Sequence, residues 1–327
     1  MHTRPVPRGL RLTDVGFGAA QLGNLGRETT DIEARSAVDA AWDAGIRYFD
    51  TAPHYGLGLS ERRLGAALAG RPRDEFVVST KVGRSLVPNE PPYAQDDGFA
   101  VPATHRRLFD FSRDAVLRSV EESLGRLGLD RIDILYLHDP DDHWTEASTS
   151  GVSALSELRD QGVVRAIGAG MNQSAMLAEF VHRCDVDVVM LAGRYTLLEQ
   201  GALGDLLPLA HERGISVVAA AVYNSGLLSR TRPAPDVTYD YLPAPAELVA
   251  RANKIADVCE RHGVSLPAAA LGFPLRHPAV ASVVVGMRNA AQVASTVERA
   301  GAAIPDALWS DLAARGLLHG DAVGARS

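Results

Sequence analysis

The chain has 327 residues, of which 46% are hydrophobic and 22% are charged, and its formal net charge is −7. This size and apolar content suffice for a large core, and the negative charge argues against non-specific nucleic-acid binding, which requires a basic surface. The two cysteines imply no disulfide framework, and we find neither a secretory signal pattern nor an apolar run that could span a membrane. We therefore expect a soluble, cytoplasmic protein with a single domain over residues 1–327.

Short apolar segments rich in β-branched residues alternate with amphipathic segments, which is the pattern of βα units around a parallel sheet. The predicted strands are 15–19, 46–50, 76–81, 132–138, 165–169, 186–192, 216–221 and 282–285. Their number is informative, because eight parallel strands close a barrel, whereas five or six are typical of an open sheet. The pattern therefore predicts an α/β fold with a (β/α)8 TIM barrel.

The segments between these strands have helical periodicity. The predicted helices are 30–44, 60–68, 112–127, 147–161, 173–183, 246–262 and 289–301. The first of them has Asp31 and Glu33 in its first turn, where acidic side chains interact favourably with the helix dipole. Several glycines suit left-handed caps before a strand, namely Gly45, Gly128, Gly162, Gly214 and Gly263.

Two segments interrupt this alternation. Residues 83–110 and 227–245 contain several prolines and little periodicity, so we expect long loops after the third and seventh strands. Both loops follow the C-terminal ends of strands, which is the end of a barrel that carries the active site. We therefore favour a role in covering the substrate over a role as simple insertions.

Four reactive side chains stand at or just after the C-terminal ends of predicted strands. Asp50, Lys81 and His138 end the second, third and fourth strands, and Tyr55 follows the second strand in a short loop. Core packing does not require charged groups at these positions, and in a barrel they converge on one face. A phenol, an ammonium, a carboxylate and an imidazole in one place form a proton-transfer site.

The segments around these residues resemble the signatures of the aldo-keto reductases. The matching segments are GIRYFDTAPHYG (45–56), VSTK (78–81) and ILYLH (134–138). A narrower resemblance to the aldose 1-dehydrogenase branch, which includes L-fucose and D-threo-aldose dehydrogenases with pyridoxal 4-dehydrogenase close by, rests on segments 109–114, 138–143, 166–172, 192–198 and 224–228. The resemblance implies an oxidoreductase that transfers hydride to or from a nicotinamide.

In that reaction Tyr55 moves the proton of the reacting hydroxyl. A free phenol has a pKa of about 10, and we expect the Lys81 ammonium to lower the pKa of Tyr55. Asp50 would keep Lys81 charged, and His138 would hydrogen-bond the reacting oxygen. Oxidation of a cyclic sugar at C1 would then give a lactone, and the reverse direction would reduce a carbonyl.

The cofactor is expected to be NADP or NAD, with no firm preference between them. The residues assigned to cofactor binding are Asn172, Gly286, Arg288, Gln292 and Gly18. Asn172 follows the fifth strand and would bind the nicotinamide carboxamide. Gly286 precedes a predicted helix whose N-terminus suits a phosphate, and Arg288 would pair with the 2′-phosphate of NADP, the alternative being a solvated arginine.

The nicotinamide end departs from the family pattern at three positions. Met171 stands where the family has a serine, and Ala192 stands where it has a glutamine. Ala220 or Ala221 occupies the place of an aromatic residue that stacks on the nicotinamide, and Tyr223 is a nearby substitute.

Residues 138–143, with the sequence HDPDDH, invite a metal-site interpretation, because Asp and His ligate Zn²⁺ or Mn²⁺. We expect no metal, because consecutive residues rarely all point inward and Pro140 forces a turn. We instead expect Asp139 or Asp142 to accept hydrogen bonds from sugar hydroxyls, the alternative being helix capping before Trp144, and we assign Asp139, His54 and Trp144 to the substrate pocket.

The leading hypothesis is a cytoplasmic NAD(P)-dependent aldose 1-dehydrogenase with Tyr55 as the general base. The alternatives are an NADPH-dependent reductase of small aldehydes or ketones, a pyridoxal dehydrogenase and, less favoured, a low-turnover nicotinamide-binding sensor subunit. The four reactive residues do not separate these functions, because both directions of the reaction use the same groups. The expected partner is a sugar or aldehyde, neither nucleic acid nor a membrane is expected, and the oligomeric state is not predicted.

Overall fold

The structure is a computed structural model that describes residues 1–91, 93–96, 98–234, 236–240 and 242–323. Positions 92, 97, 235 and 241 belong to the two predicted long loops and lie outside the described residues, as do the last four residues of the chain.

Eight parallel strands form a closed barrel. We number them in chain order as Val15–Gly18 (β1), Tyr48–Asp50 (β2), Val77–Val82 (β3), Ile132–His138 (β4), Val164–Met171 (β5), Val188–Ala192 (β6), Ser216–Ala220 (β7) and Val280–Gly286 (β8). Each strand pairs with its neighbours in the chain, and β8 pairs with β1 to close the ring. The strand ends lie within two residues of the predicted ends, so the predicted (β/α)8 barrel is confirmed.

The helices surround the barrel. They are Asp31–Asp43 (α1), Leu59–Leu68 (α2), Arg113–Leu127 (α3), Val152–Asp160 (α4), Ser174–Arg183 (α5), Leu206–Glu212 (α6), Ala246–Arg261 (α7), Leu266–Gly272 (α8), Ala290–Ala300 (α9) and Asp306–Ala314 (α10). The helices α6, α8 and α10 have no counterpart among the predicted helices, and the predicted helix 147–161 begins with a π-helical segment, Ala147–Gly151. None of the described helices has the length and apolarity needed to cross a membrane.

The start of α1 and the glycine caps agree with the sequence analysis. Thr30 and Glu33 form a capping box at the start of α1, in which the Glu33 N–H donates to the Thr30 hydroxyl at 3.1 Å and the Thr30 N–H donates to the Glu33 carboxylate at 3.0 Å. All five glycines predicted as left-handed caps have positive φ angles.

The apolar side chains form two main cores on either side of the barrel wall. The larger core lies between the strands and the helices, and the second fills the barrel interior with residues that include Tyr48 and Tyr136. An N-terminal hairpin with strands Thr3–Val6 and Leu10–Thr13 adds Leu12 to the interior core. This hairpin, which the sequence pattern does not predict, closes the N-terminal end of the barrel and leaves the C-terminal end for the site.

The segment after β3 is an ordered hairpin rather than an irregular loop. Its strands, Arg84–Pro88 and His105–Phe109, pair antiparallel, and a bridge between Leu25 and Phe99 joins its tip to the loop after β1. Pro88 is the last residue of its strand, where the missing N–H costs little. A proline-rich segment therefore forms a ribbon beside the C-terminal end of the barrel.

The segment after β7 is anchored to the segment after β6. Its short strands Thr238–Tyr239 and Leu242–Pro243 pair antiparallel. The Arg194 guanidinium, which follows β6, donates to the Tyr239 hydroxyl at 3.1 Å and to the Asp240 carboxylate at 2.6 Å. A role for this segment in covering substrate stays a prediction.

A stability prediction follows from the contact between α2 and α3. A Cβ atom at Gly65 of α2 would overlap the carbonyl oxygen of Leu127 at the end of α3. Because backbone cannot yield as a flexible side chain can, we expect Gly65→Ala to lower the free energy of unfolding by about 1–3 kcal/mol, measured by urea denaturation. The matched control is Gly125→Ala in α3, where a Cβ meets no atom within 4 Å. This control should gain about 0.5–1 kcal/mol, and equal stability of the two variants would contradict the close packing.

Candidate active site

A buried ion pair lies at the C-terminal ends of β2 and β3. Lys81 Nζ donates to Asp50 Oδ2 at 2.7 Å and to the Thr51 carbonyl at 2.9 Å. The side chains of Lys81 and Asp50 are 2% and 4% exposed. Burial opposes the charge on Lys81, but Asp50 and Tyr55 favour it more strongly, so the pKa of Lys81 is raised above its ordinary value.

Tyr55 lies against this ion pair and against His138. Lys81 Nζ is 4.9 Å from the centre of the Tyr55 ring, and the Tyr55 and His138 ring centres are 5.9 Å apart. The chain turns sharply after Tyr55, because Gly56 has a φ of +61° and its backbone touches that of Gly23. The fold therefore brings together all four reactive residues that the sequence singled out.

The pKa of Tyr55 differs from the sequence expectation. Burial raises the pKa of Tyr55, and the Lys81 ammonium lowers it, but the net result lies above the ordinary value of a phenol. The expected effect of Lys81 is present, yet the expected net lowering is wrong, because the sequence does not reveal how much water the phenol loses. Tyr55 is therefore protonated at neutral pH in the cofactor-free protein.

The two histidines of the site are neutral for a similar reason. Burial and the nearby Lys81 and Arg84 cations lower the pKa of His138 well below its ordinary value. Burial, together with Arg84 and Arg107, lowers the pKa of His54 to about 3. The ring centres of the two histidines are 5.5 Å apart, and in the described part of the chain neither Nδ1 atom has a hydrogen-bond partner. A neutral imidazole can donate one N–H to a substrate oxygen without adding charge.

A buried hydrogen-bonded chain extends from the ion pair into the barrel, and the sequence analysis missed it. Ser79 Oγ donates to Asp50 Oδ1 at 2.7 Å. The Tyr48 hydroxyl lies 3.0 Å from Ser79 Oγ and 3.4 Å from the Tyr136 hydroxyl. Ser79, Tyr48 and Tyr136 each precede one of the reactive residues by two positions on a strand, so they share its face, and this spacing was an available signal. The chain fixes the carboxylate that holds Lys81.

Phe99, from the tip of the hairpin after β3, covers the phenol. Its ring centre is 6.1 Å from that of Tyr55 and 5.3 Å from that of His54, and Phe99 is 5% exposed. Leu57 and Val101 pack around the same ring. The hairpin thus lies over part of the site through Phe99, which the sequence analysis did not single out, and its predicted role in covering the substrate stays a prediction.

A polar cavity of about 440 Å³ lies beside Asp139, the residue that follows His138, and the four reactive residues are not among the residues that line it. Arg84 of the hairpin forms an ion pair with Asp139 in its wall, and Asp139 Oδ2 is 3.7 Å from His138 Nε2. Asn172 and Gln173, at the end of β5, line the same cavity. Asp139, predicted to bind substrate, and Asn172, predicted to bind the nicotinamide carboxamide, therefore line the same cavity. Arg84 also lines this cavity, and the sequence analysis missed it.

In the same segment after β4, Asp141, Asp142 and His143 also line this cavity, whereas Trp144 is not among the residues that line it. The Trp144 ring packs edge-on against Phe180 of α5, with ring centres 4.8 Å apart, and belongs to the core outside the barrel. The assignment of Trp144 to the substrate pocket therefore finds no support in the structure, because the helical turn that follows β4 directs the ring toward α5. Over the ranges that the structure describes, no three His, Cys, Asp or Glu side chains are grouped to hold a metal ion.

The end of β8 has features that fit a dinucleotide phosphate. Gly286 is exposed and pairs with Gly18 of β1. A Cβ at Gly286 would overlap the Gln21 side-chain amide, whose Oε1 is buried and has no partner among the described residues. The space beside Gly286 is thus filled by Gln21, and the feature that suits a phosphate is the N-terminus of α9, which begins at Ala290.

The sequence analysis expected the Arg288 guanidinium either to bind a phosphate or to be solvated, and the structure shows neither arrangement. It is 7% exposed, and its guanidinium donates to the carbonyls of Leu25 at 2.5 Å and Arg27 at 2.9 Å and to the Thr29 hydroxyl. Its backbone N–H donates to Gln292 Oε1 at 2.7 Å. Arg288 therefore ties the loop after β1 to β8, and a 2′-phosphate would compete with these partners.

Of the two residues expected to contact the nicotinamide, Asn172 and Tyr223, only Asn172, at the end of β5, is exposed in a position that a ligand can reach. Tyr223, the substitute for the stacking aromatic, instead packs with Arg299 of α9, whose guanidinium donates to the Tyr223 hydroxyl at 3.4 Å and lies 5.7 Å from its ring centre.

Comparison with known proteins gives the family of the chain. The sequence model of the Aldo/keto reductase family matches residues 14–314. The chain is 51% identical over 310 residues to a D-threo-aldose 1-dehydrogenase from Pseudomonas sp., covering 93% of this chain and 94% of that protein. It is 40% identical over 329 aligned residues to a pyridoxal 4-dehydrogenase from Microbacterium luteolum, covering 95% and 96% of the two chains.

A similar solved structure is the holo form of the aldo-keto reductase AKR11C1 from Bacillus halodurans, with a TM-score of 0.76 and 26% identity over 100% of this chain and 98% of that chain. The barrel, the matched motifs and these relatives together show that the chain is an oxidoreductase and belongs to the aldo/keto reductase family.

Proposed function

We propose that the protein oxidises the C1 hydroxyl of an aldose to a lactone, with NAD(P)+ as the hydride acceptor. The observation that carries the proposal is the polar cavity beside Asp139, because a wall containing Arg84, Asp139 and Asn172 suits a polyhydroxylated substrate better than an apolar aldehyde. The D-threo-aldose 1-dehydrogenase relative supports the same substrate class.

In the proposed oxidation, Tyr55 acts as the base in its phenolate form. The C1 hydroxyl gives its proton to Tyr55, the C1–H bond breaks, and its electron pair leaves C1 as hydride, so the C1–O bond becomes the carbonyl of the lactone. When bound, the nicotinamide supplies the acceptor for that hydride. His138 donates a hydrogen bond to the reacting oxygen, and Lys81, held by Asp50, stabilises the phenolate.

Within this proposal, Asn172 binds the nicotinamide carboxamide, and Gly286, Gly18 and the N-terminus of α9 receive the phosphates. Gln292 orients the turn before α9 through its bond to the Arg288 N–H. His54 is proposed to shape the substrate pocket through its ring contacts with Phe99. We also propose a single catalytic domain in the cytoplasm, which agrees with two free cysteines.

A second candidate function is the reduction of an aldehyde or ketone with NADPH. The specific observation in its favour is the raised pKa of Tyr55, because a protonated phenol is ready to donate to a carbonyl oxygen at neutral pH. Oxidation of pyridoxal is a related possibility, which the pyridoxal 4-dehydrogenase relative supports.

The experiment that separates these functions follows nicotinamide absorbance with NAD+ and NADP+ separately. The substrates are L-fucose, L-galactose, D-arabinose, pyridoxal and simple alcohols, with aldehydes and NADPH in the reverse assay. Reduction of the cofactor by one stereochemical series of sugars supports the aldose dehydrogenase. Activity only with aldehydes and NADPH, or only with pyridoxal, would overturn it.

Tyr55→Phe should remove the proton acceptor and keep the ring. We expect kcat to fall roughly 10²–10⁴-fold, while cofactor affinity, measured by fluorescence titration, is unchanged. Turnover equal to that of the unsubstituted protein would exclude Tyr55 as the base.

The raised pKa of Tyr55 predicts the pH dependence of the two directions. Oxidation needs the phenolate, so its kcat/KM should rise with pH through the alkaline range, whereas reduction needs the phenol and should fall there. Lys81 lowers the pKa of Tyr55, so Lys81→Met should move both the rise of kcat/KM for oxidation and its fall for reduction to higher pH.

The matched control is Lys254→Met, since Lys254 is exposed on α7. Because Lys81→Met leaves Asp50 buried without its partner, the double variant Asp50→Asn/Lys81→Met provides a neutral replacement. If the pH profiles of kcat/KM for the Lys81 variants coincide with those of the control, Lys81 does not set the pKa of Tyr55.

Arg288 is expected to act on both cofactors alike, because its guanidinium binds the loop after β1 rather than projecting toward solvent. Arg288→Ala should lower kcat/KM for NAD+ and NADP+ by similar factors and leave their ratio unchanged. A tenfold change in that ratio, equivalent to about 1.4 kcal/mol, would instead show that Arg288 reads the 2′-phosphate.

A further inference from the structure

We propose that Arg84 and Asp139 bind the hydroxyl on the carbon next to the reacting carbon, and so select substrates that carry a 2-hydroxyl group. The inference rests on the proposed function in one respect, namely that His138 binds the oxygen of the reacting carbon. It goes further by naming the feature of the substrate that the polar cavity recognises and the two side chains that recognise it.

The spacing between His138 and Asp139 matches two neighbouring oxygens. His138 Nε2 and Asp139 Oδ2 are 3.7 Å apart, too far to form a hydrogen bond with each other. In a gauche vicinal diol the two oxygens are separated by about one hydrogen-bond length, roughly 2.8 Å. Two protein atoms 3.7 Å apart can therefore each bind one of these oxygens, His138 the reacting oxygen and Asp139 its neighbour.

The chemistry of the pair suits a hydroxyl in particular. An ionised Asp139 only accepts hydrogen bonds, and Arg84 only donates them. A hydroxyl beside this ion pair donates to Asp139 and accepts from Arg84, so both its donor and its acceptor capacity are used.

The pair is held in place by elements on both sides of the cavity. Arg84 begins the hairpin after β3, and its guanidinium lies 4.9 Å from the centre of the Phe109 ring. Asp139 directly follows β4, and its N–H donates to the Gly170 carbonyl of β5 at 3.0 Å. Because both side chains are positioned before substrate arrives, a substrate without the hydroxyl leaves a partly buried ion pair with unfilled hydrogen bonds.

The test compares substrates that differ only by this hydroxyl. The probes are L-fucose against 2-deoxy-L-fucose and L-galactose against 2-deoxy-L-galactose for oxidation, and lactaldehyde against propanal for reduction. We expect kcat/KM to favour the 2-hydroxylated member of each active pair by about tenfold to a hundredfold. If the protein is a reductase, the comparison of lactaldehyde with propanal still tests the preference for a 2-hydroxyl group. Failure of the proposed function and failure of this inference therefore give different results.

The variants are Asp139→Asn, Arg84→Met and the double variant Arg84→Met/Asp139→Leu, which removes both charges together. We expect the preference for the 2-hydroxylated substrate to fall toward one, while kcat/KM for the deoxy substrate changes much less. A merely structural role would lower kcat/KM for both substrates equally and keep the preference. The control is Arg113→Met/Glu157→Leu, which removes an ion pair on the outer surface.

An unchanged preference in the variants, or equal use of the two members of a pair by the unsubstituted protein, would overturn the inference. If turnover is absent, calorimetric dissociation constants for the same sugars, measured with saturating NADP+, make the same comparison. Equal affinities, or no binding of either sugar, would also overturn it.

Discussion

The buried ion pair between Asp50 and Lys81 is the interaction on which the site depends. Removing both charges from water is costly, and the pair persists because the lost hydration is replaced by a direct contact, by the Ser79 hydroxyl on Asp50 and by the Thr51 carbonyl on Lys81. These partners come from adjacent parallel strands, β2 and β3, whose register places Asp50 opposite Ser79. The closed barrel thus supplies the geometry that a lysine needs to remain charged beside a buried tyrosine.

Burial and charge act against each other at Tyr55, and burial is the stronger influence. The resulting phenol is a proton donor at rest, which suits reduction directly, while oxidation requires the phenolate that Lys81 favours. A bound nicotinamide cation would add a second positive charge near the ring and favour the phenolate further. Under the proposed function, the same four residues would serve both directions, and the substrate pocket would decide which reaction the protein performs.

The pocket is built mostly from segments outside the strands. The hairpin after β3 contributes Arg84 and Phe99, which lie on the polar and aromatic sides of the site, and the turn after β4 contributes Asp139. The strands hold the reacting groups in a rigid frame, while these attached segments present the groups that distinguish substrates. Under the proposed function, this division would give the barrel a substrate preference that is independent of its four reactive residues.

The sequence by itself determined the eight strands, their ends to within two residues, and the four reactive positions, because each depends on local periodicity and on motifs within a few residues. The antiparallel hairpin, the partners of Arg288 and the pairing of Arg84 with Asp139 were decided only by the tertiary structure. Arg288 and Leu25, for example, are 263 residues apart in the chain and meet because β8 closes the barrel against β1. The net pKa shift of Tyr55 belongs to the same class, since the water that the phenol loses depends on Phe99 and other residues that only the fold brings over it.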